Sequence, residues 1–129
     1  CDCDKYMFSA LEGQAEIYIK TMNNKALIIC LTELELLAKK NRLKLKLGSI
    51  FAQLALAYEM LGDEEKSMHY FHESMSLCSK RDTSCIAKNL RGIARAYSMK
   101  KAEIIEIELM KKTIFKYVLI LKLPMRFEK

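Results

Sequence analysis

Between residues 43 and 61 the apolar positions Leu47, Ile50, Phe51, Leu54, Ala55, Tyr58 and Leu61 recur at i, i+3, i+4 and i+7. That rhythm builds one apolar face on an α-helix. The stretch Leu61-Gly62-Asp63 interrupts it, and Gly62 is one of only four glycines in the chain. Asp63 suits a helix N-cap, because its carboxylate can accept from the unpaired amides of a first turn. Glu64 and Glu65 follow, where negative charge complements the positive end of the helix dipole. A second apolar face then runs through Met68, Phe71, Met75 and Cys78. The pattern predicts an antiparallel helical hairpin with its turn at 61–63.

The pattern repeats. Tyr18, Tyr58 and Tyr97 are spaced by 40 and 39 residues, and each has an alanine three positions before it, at Ala15, Ala55 and Ala94. Helix-turn-helix periods in this range are the signature of a helical solenoid. Three repeats are expected, over about 5–41, 42–81 and 82–117, with turns near 21–24, 61–63 and 98–102. The fold expected is all-α, with six main helices in three antiparallel hairpins. Ala55, Tyr58, Phe71 and Ala94 are expected to be buried, the alanines allowing close helix approach and the rings filling the space beside them. Residues 118–129 form an apolar and basic tail, expected to be a cap or a truncated junction, in which Pro124 ends any helix near Leu123.

In the second repeat Phe51, Leu54, Ala55, Tyr58, Ser67 and Phe71, with the turn Leu61-Gly62-Asp63, resemble the tetratricopeptide repeat pattern. The third repeat matches through Leu90, Ile93, Ala94 and Tyr97 but lacks the turn glycine. The first matches through Leu11, Ala15, Tyr18 and Ala26, with Asn23-Asn24 at a shorter turn. The period near 40 is similar to the longer-helix branch of that family, which includes cell-polarity adaptors and receptor-clustering scaffolds. The resemblance implies a right-handed α-α superhelix that grips a partner on its concave side.

Composition agrees with helices. Half of the 129 residues are apolar, and a single proline and four glycines leave little for a β-sandwich. Eight Met and six Tyr supply adaptable packing volume, and Trp is absent. The five cysteines (Cys1, Cys3, Cys30, Cys78, Cys85) include no C-x-x-C pair. Cys30 and Cys78 read as small buried hydrophobes, and neither a disulfide framework nor a zinc site is expected. The expected setting is intracellular and cytoplasmic. The start "CDCDKYMF" resembles no targeting peptide, and the chain reads as an internal fragment. The most apolar run, "YVLILKLP", is far shorter than the ~20 residues that span a bilayer.

No nucleotide-binding, nucleophile-elbow or H-E-x-x-H motif occurs, so no catalytic residue and no cofactor is assigned. His69 and His72 are spaced for two metal ligands on one helical face, but no third ligand is identifiable, and both are expected on the surface without metal. Glu33/Glu35 and Glu103/Glu106 read as solvent-face charges.

Function is therefore expected to be binding. The resemblance places the concave face on first-helix residues turned away from the hairpin core. These are Ser9, Glu12, Glu16 and Ile19; then Ala52, Leu56 and Glu59; then Lys88, Arg91, Arg95 and Ser98. The groove would be acidic at one end and basic at the other, and the stripe Lys88, Arg91, Arg95 would hold the carboxylates of an acidic peptide. The competing reading pairs Arg91 and Arg95 with Glu59 as a structural tie. The net charge of +6 and the run "KKNRLKLK" (39–46) also permit a nucleic-acid-binding helical repeat. No aromatic ladder accompanies the charge, so a protein ligand is favoured. Self-association through uncapped repeat ends is the third possibility.

Overall fold

The computed structural model describes residues 2–121. Among these every regular element is helical: α1 (Asp2–Lys20), α2 (Asn24–Lys40), α3 (Lys44–Met60), α4 (Glu64–Ser76) and α5 (Thr83–Leu121). Two compact units divide at Tyr97, the first holding residues 1–97 and the second residues 98–129.

The first three turns share one construction. At each, the amide three residues past the helix end donates back to a carbonyl in its last turn: Asn23 to Tyr18, Leu43 to Ala38 and Asp63 to Tyr58. This loop requires a residue in the left-handed region, and Met22 (φ 56°), Arg42 (φ 55°) and Gly62 (φ 80°) take that place. The next helix starts at once. Asn23 accepts from the amide of Ala26 at 3.3 Å, and Asp63 accepts from that of Lys66 at 3.2 Å. The turns expected at 21–24 and 61–63 are thus present. Before α5 the chain takes a longer path, with Asp82 accepting from the amide of Cys85 at 3.1 Å.

The turn expected at 98–102 is not formed. Helix α5 runs unbroken for 39 residues across it, so among the described residues there are five helices and not six, and the third hairpin is replaced by one long helix. The physical reason lies in "SMKKA". Met, Lys and Ala are strong helix formers, and the stretch contains neither an asparagine, as the turns at Asn23 and Asn41 do, nor the glycine of the turn at Gly62. The junction expected between 117 and 118 likewise falls inside α5. Of the expected tail, residues 122–129, including Pro124, lie outside the described span.

Consecutive helices pack on one another. A single apolar cluster joins α1, α2 and α3 through Phe8, Leu11, Ala15, Leu27, Leu31, Leu34, Ile50, Phe51 and Leu54. Leu31, Leu34 and Leu54 are the largest fully buried side chains in it. Between α3 and α4 the approach is close because the residues are small. Ala55 is 0% exposed, and the buried hydroxyl of Ser67 donates to its carbonyl at 2.9 Å. Gly48 is matched in the same way, its carbonyl accepting from Ser74 at 2.9 Å. Tyr58 is half-buried and stacks parallel to Tyr70, with centroids 5.7 Å apart.

The start of α5 faces the rest of the first unit differently from expectation. Asn89, Gly92 and Ala96 are its buried residues, whereas Leu90 and Tyr97 are 50% and 61% exposed and Ala94 is exposed as well. Leu90, Ala94 and Tyr97 were expected to face a second helix of their own repeat. No turn returns the chain to that side, so they stay uncovered. Gly92 allows the Phe71 ring to lie against the helix backbone: a Cβ there would come within 2.5–2.6 Å of three ring carbons. Helix propensity alone favours Ala over Gly by about 1 kcal/mol. Overpacking a core costs about 1–3 kcal/mol, and Phe71, being buried, has little room to yield. Gly92→Ala is therefore expected to lower stability by about 1 kcal/mol. A thermal melt in which it raises the midpoint would contradict this packing.

The cysteines depart from expectation too. Cys78 and Cys85 form a disulfide with Cα atoms 6.0 Å apart, because the 77–82 connection folds the end of α4 beside the start of α5. Cys78 is thus not a reduced core residue. Cys30 is: it is buried, and its thiol donates to the Leu11 carbonyl at 3.1 Å. Burial pushes that thiol's pKa up, and Glu33 adds to the shift.

Candidate functional site

Three neighbouring depressions lie on the side of the first unit where α1, α3 and the start of α5 are exposed. The first, about 160 Å³, is lined by Phe8, Glu12, Ala15, Glu16 and Ile19 of α1 and by Lys46, Ser49, Ile50 and Gln53 of α3, with Leu34 at its floor. The second, about 230 Å³, shares Ile19 and Gln53 with the first and adds Met22, Leu27, Leu56, Ala57 and Met60. Its wall is almost wholly apolar. The third, about 320 Å³, shares Ser49 with the first and reaches from Lys44, Gly48 and Ala52 to Lys88 and Asn89 at the start of α5.

The helical phase of α1 and α3 explains this arrangement. One face of α3 (Ile50, Leu54, Ala57) is buried against the preceding helices and another (Phe51, Ala55) against α4. Gln53 and Leu56 fall between these faces and remain reachable. Glu12, Glu16 and Ile19 occupy the matching strip of α1 beside buried Leu11 and Ala15. Glu12, Glu16 and Ile19 thus line the first depression, and Ile19 and Leu56 the second. Gln53, Met60, Met22 and Ser49 join them without having been singled out, although Gln53 and Met60 sit three before and four after Leu56 on the same helix.

Charge is distributed unevenly. Glu12 is bridged by Lys46 at 3.2 Å, and the same ammonium lies 5.8 Å from the Phe8 ring centroid. The exposed carboxylate of Glu16 lines the first depression together with Glu12 and Lys46, and the third is lined by Lys44, Lys88 and Asp82. Three of the five basic residues in the run 39–46 serve as ties. Lys39 pairs with Glu35 at 3.0 Å, Lys40 with Asp4 at 3.0 Å, and Lys46 with Glu12. The hydrogen bonds from Lys40 and Asn41 hold the Asp4 carboxyl below its ordinary pKa.

Arg95 is committed elsewhere. It grips Glu59 bidentately, Nε to Oε1 at 2.7 Å and Nη2 to Oε2 at 3.3 Å, while its guanidinium lies 5.9 Å from the Phe71 ring centroid. Its pKa is raised, chiefly by the hydrogen bond to Glu59. Of the expected stripe, Lys88 and Arg91 are exposed, and Arg95 ties α5 to α3. Arg95→Glu places two carboxylates together and loses a charge-assisted pair. The guanidinium is half exposed, so solvent screening limits the expected loss of stability to about 1–2 kcal/mol. The exchange Glu59→Arg/Arg95→Glu should recover part of it. Urea unfolding that leaves the midpoint of the single variant unmoved would show that the pair contributes nothing.

His69 and His72 are both exposed, and the His69 ring packs edge-on to Tyr70 at 5.2 Å. Among the described residues no three His, Cys, Asp or Glu side chains converge as a metal set, and no helix is long and apolar enough to cross a membrane. No protein-family model matches the chain, and no curated protein matches it either.

Proposed function

We propose that this chain is a non-enzymatic protein-interaction module, a scaffold or adaptor of tetratricopeptide-like build, which receives a segment of a partner protein across α1, α3 and the start of α5. The observation that carries this reading is the pair of adjoining depressions that share Ile19 and Gln53, one rimmed by Glu16 and the other walled by Leu56, Met60 and Met22. Leu56 is 48% exposed and Met60 61%, and the two border the same depression. Apolar side chains grouped at a concave surface with a few polar groups beside them are the usual anatomy of a binding site. The partner segment that fits places an apolar side chain between Ile19 and Leu56 and a basic group against Glu16. Lys88 and Arg91 supply positive charge for an acidic stretch of the same partner. The sequence resemblance, the three-residue turns and the consecutive helix packing support a superhelical array as the frame.

The test is selection of binding segments from a displayed library of random peptides, followed by affinity measurement on the selected ones. Leu56→Arg is expected to weaken binding at least about tenfold, the loss of one buried contact and the desolvation of a charge. Leu36→Arg, at an exposed position on α2 away from these depressions, should leave affinity unchanged. Selected peptides whose affinity ignores Leu56→Arg would place the binding surface elsewhere, and failure to select any would remove the reading.

A further inference from the structure

The start of α5 presents a helix face whose counterparts in the first two repeats are occupied. In repeat one, Leu11, Ala15 and Tyr18 are turned towards α2, and the Leu11 carbonyl accepts from Cys30 of that helix. In repeat two, Phe51, Ala55 and Tyr58 are turned towards α4, with the Phe51 ring 5.8 Å from that of Tyr70. The third set, Leu90, Ala94 and Tyr97, is exposed. The other face of the same segment, Asn89, Gly92 and Ala96, is buried, as its counterparts Ile50 and Ala57 are. The start of α5 therefore has its preceding neighbour and lacks its following one.

We infer that this following neighbour is the distal part of α5 from a second copy of the chain, so that two α5 helices pair antiparallel about a two-fold axis near Met99 and Lys100. Three observations converge on this occupant. Helix α5 continues unbroken where α1 and α3 turn back, so the segment that follows each of the first two turns as a second helix here extends onward. That segment is rich in uncovered apolar residues, among them Ile105, Leu109 and Met110. Its register also agrees. Leu11 meets Cys30 and Phe51 meets Tyr70 at one and the same sequence separation, that separation carries Leu90 to Leu109, and the antiparallel register this sets brings Arg91 opposite Glu108. Two apolar positions and an opposite-charge pair are thus set facing, although Lys88 meets Lys111 in the same register. The contact is isologous: residue 90 of each copy meets residue 109 of the other, so it closes at two copies and does not propagate.

Sedimentation equilibrium of the chain is expected to give a dimer, and Leu109→Glu to raise its dissociation constant at least about tenfold while circular dichroism keeps the helix signal. The pairing itself is read by mixing two singly substituted chains, Leu90→Cys and Leu109→Cys, each with Cys1 and Cys3 replaced by Ser. Oxidation should cross-link the two different chains to each other in preference to like chains. Three outcomes would overturn the inference: a monomer at every concentration, a dimer indifferent to Leu109→Glu, or a Leu90→Cys/Leu109→Cys double variant that closes its bridge within one chain. None of them bears on the peptide site, whose affinity is read separately through Leu56.

Discussion

Phe71→Ala is expected to cost about 3–5 kcal/mol, the range for removing a buried aromatic ring without collapse of the space it leaves. Collapse is unfavourable here because two groups of α5 close on the ring. Phe71 comes from α4 and is buried, Gly92 of α5 lies in direct reach of it, and the Arg95 guanidinium covers it from the side. Truncation opens a void against a helix backbone that the Glu59–Arg95 pair holds in place. Against a total stability of about 5–15 kcal/mol for a domain, this is a large fraction. Urea unfolding followed by far-UV circular dichroism measures it. The ring and the glycine should also be coupled: in the Phe71→Ala background the clash at residue 92 disappears, and Gly92→Ala becomes neutral or stabilising by up to about 1 kcal/mol. Equal effects of Gly92→Ala in both backgrounds would mean that the two residues do not meet.

Leu54→Ala is expected to cost about 2–5 kcal/mol. The side chain is 0% exposed, in the cluster that also contains Leu31 and Leu34. Two residues further along α3, Leu56 is half exposed beside the apolar depression, and Leu56→Ala should change stability by no more than about 0.5 kcal/mol. The two substitutions are chemically identical, so their difference measures only the placement of each position on the helix. If both variants melt together, α3 does not sit in the phase described.

Helices α1 to α4 are readable from local chemistry because their signals act over a few residues. Apolar spacing sets the buried face of α3, and Asn23 and Asp63 each cap the helix that follows. The turn at 61–63 is the easiest to find because Gly62 takes a positive φ without steric cost. The candidate site is legible to a similar depth. Glu12, Glu16 and Leu56 enter through the family resemblance, which implies first-helix positions turned away from the hairpin core, whereas Gln53 and Met60 need the neighbouring helix to show that they border a depression.

The third repeat separates two kinds of information. Tyr97 and Ala94 continue the long-range spacing of Tyr18/Ala15 and Tyr58/Ala55, and that spacing implies a hairpin. The local residues 98–102 are mostly strong helix formers without the Asn or Gly found in each of the first three turns, and the helix passes through them. Periodicity records which side chains could face a mate, but only a residue able to reverse the chain delivers one. Arg95 illustrates the same limit. Its place at i+7 from Lys88 suggests an anion-binding stripe, and its use is decided by Glu59, which lies 36 residues earlier and meets it through helix packing.

Local chemistry settles what lies within about one or two helical turns: the all-helical class, the turns at 21–24 and 61–63, and the buried face of α3. Every outcome that depends on distance in space between residues far apart in the chain, or across an irregular loop, is left to the packing of the helices. The Cys78–Cys85 bond, the Glu59–Arg95 pair, the seat of Phe71 against Gly92 and the uncovered face of Leu90, Ala94 and Tyr97 are of this kind. Each is fixed by which helices come to lie side by side, and packing, being non-directional and summed over many contacts, leaves no signature at any single position.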